Sequence, residues 1–251
     1  MTVFLYGEDR RLEYCRGLLD GREYPGILRV VLLPIPTTRD GVHILGTDIT
    51  FLEFCLDIRP QDLIVGYALP REIREAAAAV GGTVLDLSLD EKYITENAHL
   101  TAIGVAARLL ENGESALSDM SIGIIGYGRI GEKLAHILMF FGARVKVFTS
   151  KSEVRRRLCM LGVNGVDYFS ELNMADAFAD LDILINTAPA KLITESSAIY
   201  LLEKRVIELA SGDNMPACLR IERMASVPAV MFPKTAGKVV ADAIERAAGI
   251  N

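Results

Sequence analysis

Tryptophan is absent from the 251-residue sequence, and histidine is nearly so, with three. Cysteine is sparse: Cys15, Cys55, Cys159 and Cys218 stand far apart, without a C-x-x-C pair or a histidine at metal-ligand spacing. That scatter excludes a zinc motif and leads us to expect a reduced, cytoplasmic setting and no metal. Positive charge is not in excess either. A net charge of −6 argues against nucleic acid, whose binders need a basic face to displace counterions. Apolar runs do not exceed strand length, so no membrane span is expected. Met1 leads into VFLYG without the basic region and long apolar run of a signal peptide, and none is expected. The histidines form no catalytic set with Ser and Asp. His43 is in a polar loop, and His136, inside a helical segment, is expected to pack. His99 is left open between a proton shuttle and an interfacial role.

What is present is alternation. Short apolar runs such as VFLY (3–6), LRVVLLP (28–34), DLIVG (62–66) and TVLDL (83–87) are separated by longer amphipathic segments. Among these are EDRRLEYCRGLLD, TFLEFCLDI and PREIREAAAAV. Unbroken apolar strands are the mark of parallel sheets buried on both faces. The segment TENAHLTAIGVAARLLENG (95–113) is expected to be one helix, with Thr95 as its N-cap and Gly113 as its stop. From Met120 the pattern restarts. It gives a strand, a helix over 129–141, the strand ARVKVF, a helix over 151–161, a weak strand near Val166, and a helix over 170–179. The strand DILIN (182–186), a helix near 194–203, the strand RVIEL (205–209) and a last helix follow. The fold class is therefore α/β, with two doubly wound parallel-sheet lobes, the second of Rossmann type, and right-handed crossovers throughout. Ligands are expected beyond the carboxyl ends of the strands, between the halves.

The run SIGIIGYGRIG opens the second half. G-x-G-x-x-G alone is a weak signal, but here Gly126-Tyr127-Gly128-Arg129-Ile130-Gly131 follows a strand, opens a helix and precedes a second strand. Gly126 permits the tight turn, Gly128 lets backbone approach a pyrophosphate, and Gly131 lets helix and strand pack closely. The helix N-terminus then offers N–H groups to the anion. At the end of the second strand, where NAD sites carry an acid for the ribose hydroxyls, this chain has Phe148-Thr149-Ser150-Lys151. Hydroxyls and an ammonium suit a 2′-phosphate, so NADP is expected. Glu153 lies beyond the strand. Arg155, Arg156 and Arg157 are consecutive, about 100° apart around a helix, and are read as a solvated face.

Four motifs in order give this chain a family likeness: GYGRIG, Asn186-Thr187-Ala188-Pro189-Ala190, Leu209-Ala210-Ser211, and Pro233-Lys234-Thr235-Ala236-Gly237. They resemble the GxGxxG, NTIPA, DLAS and PKTAG motifs of the dipicolinate synthase A family, and Asn97…Thr101-Ala102 is similar to that family's N-x-x-x-TAEGA helix. The resemblance implies an NADP-dependent oxidoreductase that oxidises dihydrodipicolinate to dipicolinate in sporulation, beside a second, flavoprotein-like component, dipicolinate synthase B. Ile103 stands where the family has a carboxylate, and Gly212-Asp213-Asn214 replaces its Pro-Gly-Gly turn. Two alternatives therefore stay open: a dehydrogenase of another small carboxylate, and an inactive NADP-binding regulatory protein.

The expected organisation follows. Residues 1–94 form a flavodoxin-like substrate lobe, 95–113 the connecting helix, 114–233 the NADP-binding domain, and 234–251 a helix packing back on the first lobe. Thr187, Ala188 and Pro189 close the strand DILIN, where a Rossmann loop passes the nicotinamide ribose. Their alternative is a plain turn. Lys234 and Thr235 open the last helix, whose N-terminus suits a substrate carboxylate. Asn97 and Thr101, one turn apart on one helix face, are the other substrate candidates. A small dicarboxylate is the expected substrate, and a homo-oligomer is left open.

Overall fold

The computed structural model describes residues 1–111, 115–167 and 174–249. It divides into two compact units, one built from Met1–Asn97 and Pro228–Asn251, the other from Ala98–Val227.

The first unit begins with β1 (Thr2–Leu5), α1 (Arg10–Leu19), β2 (Arg29–Leu32), α2 (Phe51–Asp57), β3 (Asp62–Gly66), α3 (Arg71–Val80) and β4 (Thr83–Asp86). Local chemistry sets the ends. The Asp9 carboxylate accepts from the Arg11 N–H at the start of α1. Thr50 and Glu53 form a capping box on α2. Gly81, left-handed at φ 80, closes α3. The strands lie in the order β1-β2-β3-β4, all parallel, and β2 and β3 are buried along their whole length.

Helix α4 (Glu91–Glu111) begins a turn earlier than the sequence suggests. Asp90, not Thr95, caps it, its carboxylate accepting from the Tyr93 N–H at 2.8 Å. The boundary between the two units falls inside this helix, between Asn97 and Ala98. The expected stop at Gly113 lies outside the described residues.

The second unit continues through β5 (Ser121–Ile125), α5 (Arg129–Phe140), β6 (Arg144–Phe148), α6 (Ser152–Met160), β7 (Asn164–Val166), α7 (Met174–Ala179), β8 (Ile183–Asn186), α8 (Glu195–Ala198), β9 (Arg205–Glu208) and β10 (Ile221–Arg223). Where the sequence suggests one helix near 194–203, α8 is a single turn followed by 3₁₀ structure over Ile199–Leu201. The start of the helix expected over 170–179 lies outside the described residues. The six strands are parallel in the order β10-β9-β8-β5-β6-β7. The chain moves outward from β5 to β6 and β7, then returns to β8 on the other side. Such a reversal leaves a crevice at the carboxyl ends of β5 and β8, the place where doubly wound sheets bind ligands. Short α9 (Val227–Met231) then leads to α10 (Pro233–Ala247).

Helix α10 belongs to the first unit and crosses α1 closely. A Cβ on Gly237 would lie 2.4 Å from the Arg11 carbonyl oxygen and 3.0 Å from the Cys15 nitrogen, so only glycine permits this approach. One face of the first sheet (Val30, Leu32, Leu63, Val65) is covered by α1, the start of α4 and α10, through Leu12, Cys15, Leu19, Tyr93, Val240 and Ile244. The other face (Val31, Leu33, Ile64) is covered by α2 and α3 through Phe51, Phe54, Ile73 and Ala77. Strand order advances in one direction while α1 and α2 lie on opposite faces. The first crossover therefore has the opposite hand to the next two, which corrects the expectation of uniform right-handed crossovers. The reason lies at the far end of the chain: α10 returns to this face and buries the apolar side of α1, while the other face is closed by α2 and α3.

No helix among the described residues is long and apolar enough to cross a membrane. Among them, no group of three or more His, Cys, Asp or Glu is placed to hold a metal ion.

Candidate dinucleotide site

The turn after β5 is built for backbone alone. Gly126 has φ +90, and a Cβ there would lie 2.8 Å from Thr187 Oγ1. A Cβ on Gly131 would lie 2.3 Å from the Gly126 carbonyl oxygen and 3.0 Å from Thr187 Oγ1. Nothing lies within 4 Å of the Cβ position of Gly128. Two of the glycines are thus fixed by close packing, and the third faces open space. Gly128 is also the N-cap of α5 and offers no side-chain cap. The first N–H groups of a helix lack partners within it. Arg129 is exposed and Ile130 half-buried at that opening. An uncapped helix start beside an unfilled Cβ position suits the pyrophosphate of a dinucleotide.

Thr187 ties the two sides of the crevice together. Its Oγ1 donates to the Ile125 carbonyl at 2.8 Å, and its N–H donates to the same oxygen at 2.9 Å. Thr187 and Ala188 meet Gly126 directly; Pro189 is exposed on the outer side of the same turn. On the β6 side, the Gly126 N–H donates to the Phe148 carbonyl at 2.9 Å. That bond places the Thr149-Ser150-Lys151 segment beside the glycine turn. Thr149 is buried and its Oγ1 accepts from the Lys151 N–H at 3.3 Å, so its hydroxyl shapes the turn. Ser150 and Lys151 are exposed there. Arg155 is not simply part of a solvated face: it donates to the Thr149 carbonyl at 2.7 Å and pairs with Asp167 at 2.7 Å. Arg157 pairs with Glu132 and lies over the Tyr127 ring at 5.8 Å.

Two residues at this edge go beyond the sequence reading. Asn186 and Glu208 are register partners at the carboxyl ends of β8 and β9, and both are buried, each 2% exposed. Asn186 Nδ2 donates to both Glu208 oxygens, at 3.0 and 3.1 Å, and to the Ala188 carbonyl at 3.0 Å. Its Oδ1 accepts from the Ala188 N–H at 3.1 Å. Glu208 also accepts from the Ala210 N–H at 2.8 Å. Burial raises the Glu208 carboxyl above the ordinary range, against the opposing pull of Asn186, Ala210, Arg223 and Asn214. In the sequence it is only an acid after the apolar pair Val206-Ile207, with nothing to mark it as buried.

The substrate candidates stand elsewhere. Lys234 and Thr235 are exposed in the first turn of α10, and Asn97 is half-buried in α4, all three in the first unit. Thr101, buried at 7% exposure, is in the second. His136 is exposed on α5 rather than packed, and His99 is exposed on α4. The His43 ring contacts the Asp40 carboxylate at 2.7 Å.

Residues 106–189 match the NAD-binding domain of the D-isomer specific 2-hydroxyacid dehydrogenases. Among curated protein sequences none matches. Solved structures with this fold include the dipicolinate synthase A protein from Bacillus halodurans, at TM-score 0.76 and 20% identity over 98% of this chain and 97% of that one. Its counterpart from Bacillus subtilis aligns at TM-score 0.76 and 17% identity, over 99% and 95%. An L-alanine dehydrogenase follows at TM-score 0.60 and 16% identity, over 98% and 88%. The fold is that of a dehydrogenase with a nicotinamide dinucleotide-binding domain.

Proposed function

We propose that this chain is an NADP-dependent oxidoreductase of the dipicolinate synthase A type, acting on a small dicarboxylate in the cytoplasm. The observation that carries the reading is the crevice at β5 and β8. There Gly126 and Gly131 admit no side chain against Thr187 and the turn backbone, while Gly128 and the α5 N-terminus remain open. The likeness to the two dipicolinate synthase structures, over nearly the whole of each chain, supports the type.

Ser150 and Lys151, exposed beside the turn, favour the 2′-phosphate of NADP, which an acid at that place would repel. When bound, the dinucleotide would accept a hydride. The protein's part is to hold its phosphates at Gly128–Gly131, to seat its nicotinamide end along Thr187–Pro189, and to orient the substrate. Lys234, exposed at the proline-led start of α10, is the proposed cation for one substrate carboxylate, with Thr235 beside it and Asn97 or Thr101 serving the rest. Dihydrodipicolinate is the proposed substrate, and a flavoprotein-like second component the proposed partner.

Calorimetric titration tests the cofactor. NADPH is expected to bind at least about tenfold tighter than NADH, and Ser150→Asp to abolish that difference, a like-charge effect of about 1.4 kcal/mol. Equal affinities in the wild type overturn NADP. Lys234→Ala is expected to raise KM for dihydrodipicolinate without changing NADPH affinity. A wild type that binds NADPH yet forms no dipicolinate, even with the partner protein, points to the regulatory reading. Ile103, in place of the family's carboxylate, favours that outcome.

A further inference from the structure

Among the described residues, Glu208 is a buried carboxylate with hydrogen bonds but no ion pair. Its donors are the Asn186 side-chain amide and the Ala210 N–H, with a further contribution from the Asn214 amide, all neutral. Among the described residues the cation that bears on it is Arg223, one strand away on β10. That guanidinium is engaged by the Gly212 carbonyl at 3.3 Å and the Asp213 carboxylate at 3.2 Å. The loop after β9 thus adds a second negative charge, Asp213. Apart from Asn186, the sheet face that Glu208 shares with Val206 is lined by Leu184, Met215 and Leu219.

Burying an anion without a paired cation is costly unless some other positive charge approaches it. In a doubly wound sheet the adenosine half lies over the first strands, here β5 to β7, and the nicotinamide half over the return strands, here β8 to β10. Glu208 ends β9, bonded to the Asn186 that brackets the Ala188 peptide in the Thr187–Pro189 turn. The oxidised nicotinamide ring carries a positive charge, and the reduced ring carries none.

We infer that Glu208 biases the site toward the oxidised, cationic form of the nicotinamide dinucleotide. The inference rests on the dinucleotide-binding reading above and adds a direction to it: the resting protein is loaded to receive a hydride. Glu208 acts by charge, as a specificity-determining residue, and its geometric hold on Asn186 is a separate role.

The two roles separate in a ratio of affinities. NADP⁺ and NADPH are titrated into the wild-type protein and into Glu208→Gln, which keeps the shape and removes the charge. At about pH 8 the wild type is expected to bind NADP⁺ tighter by about fivefold or more, the order of one partly screened charge. Burial raises the Glu208 carboxyl, so the preference is expected to shrink as the pH is lowered. The 2′-phosphate titrates alike in both forms and cancels from the ratio. In Glu208→Gln the ratio should be near one and independent of pH. A purely structural Glu208 would weaken both forms together and leave the ratio intact. That result, or equal wild-type affinities at about pH 8, overturns the inference while the dinucleotide reading stands. If the wild type binds neither form, the reading itself fails and the inference goes with it. If the variant does not fold, the wild-type pH series decides alone.

Discussion

Gly128 and Gly131 are three positions apart, yet substitution asks different things of them. A methyl on Gly131 would collide with the backbone oxygen of Gly126, while one on Gly128 meets nothing and sits on extended backbone at φ −87. Gly131→Ala is therefore expected to lower both melting temperature and NADPH affinity. Gly128→Ala should leave the melting temperature within about 1 °C and still weaken binding about tenfold or more, because its methyl fills the space left for the pyrophosphate. Thermal unfolding and titration on the same samples check the contrast, and equal behaviour of the two variants contradicts it. These glycines are legible in the sequence because only backbone satisfies the geometry, so residue type and role coincide. The Thr149 hydroxyl is less so: nothing in the sequence tells that it is spent on the Lys151 N–H. Glu208 was illegible for the opposite reason, since an acid after an apolar run reads as the strand's arrival at solvent.

Among elements, most strands were legible as unbroken apolar runs and most helices by their caps and breakers. β10 was not. Ile221–Arg223 is three residues long, pairs with β9 at the edge of the sheet, and carries two charged side chains, so tertiary pairing defines it. The faces chosen by α1 and α2 were also invisible, because alternation of strand and helix does not say which face a helix covers. That choice depends on α10, and Gly237 is its pivot. Gly237→Ala is expected to push α1 and α10 apart at a cost of about 1–3 kcal/mol, read from the urea midpoint. The loss should be confined to the first unit, with hydrogen exchange in β5 and β8 unchanged. A neutral substitution would mean that the two helices have room to slide.

At the scale of the whole molecule, the second unit is continuous in sequence and the first is not. Cys15 reports on this. It is 0% exposed, and burial pushes its thiol up to about 12, so reactive thiolate is scarce while α10 is in place. A chain ending at Val227 is expected to leave Cys15 open to alkylation, read by site-resolved mass spectrometry, at a rate faster by about a hundredfold or more. Residues 121–125 and 183–186 should remain protected from exchange. Slow labelling of Cys15 in that shortened chain would show that α1 seals without α10. The same arrangement bears on the order of synthesis. As the chain leaves the ribosome, the glycine turn and its sheet are complete before Pro233–Ala247 has been made, so the first unit waits with the α1 side of its core uncovered. Helix α10, made after the whole of the second unit, is the one that closes α1, made before it.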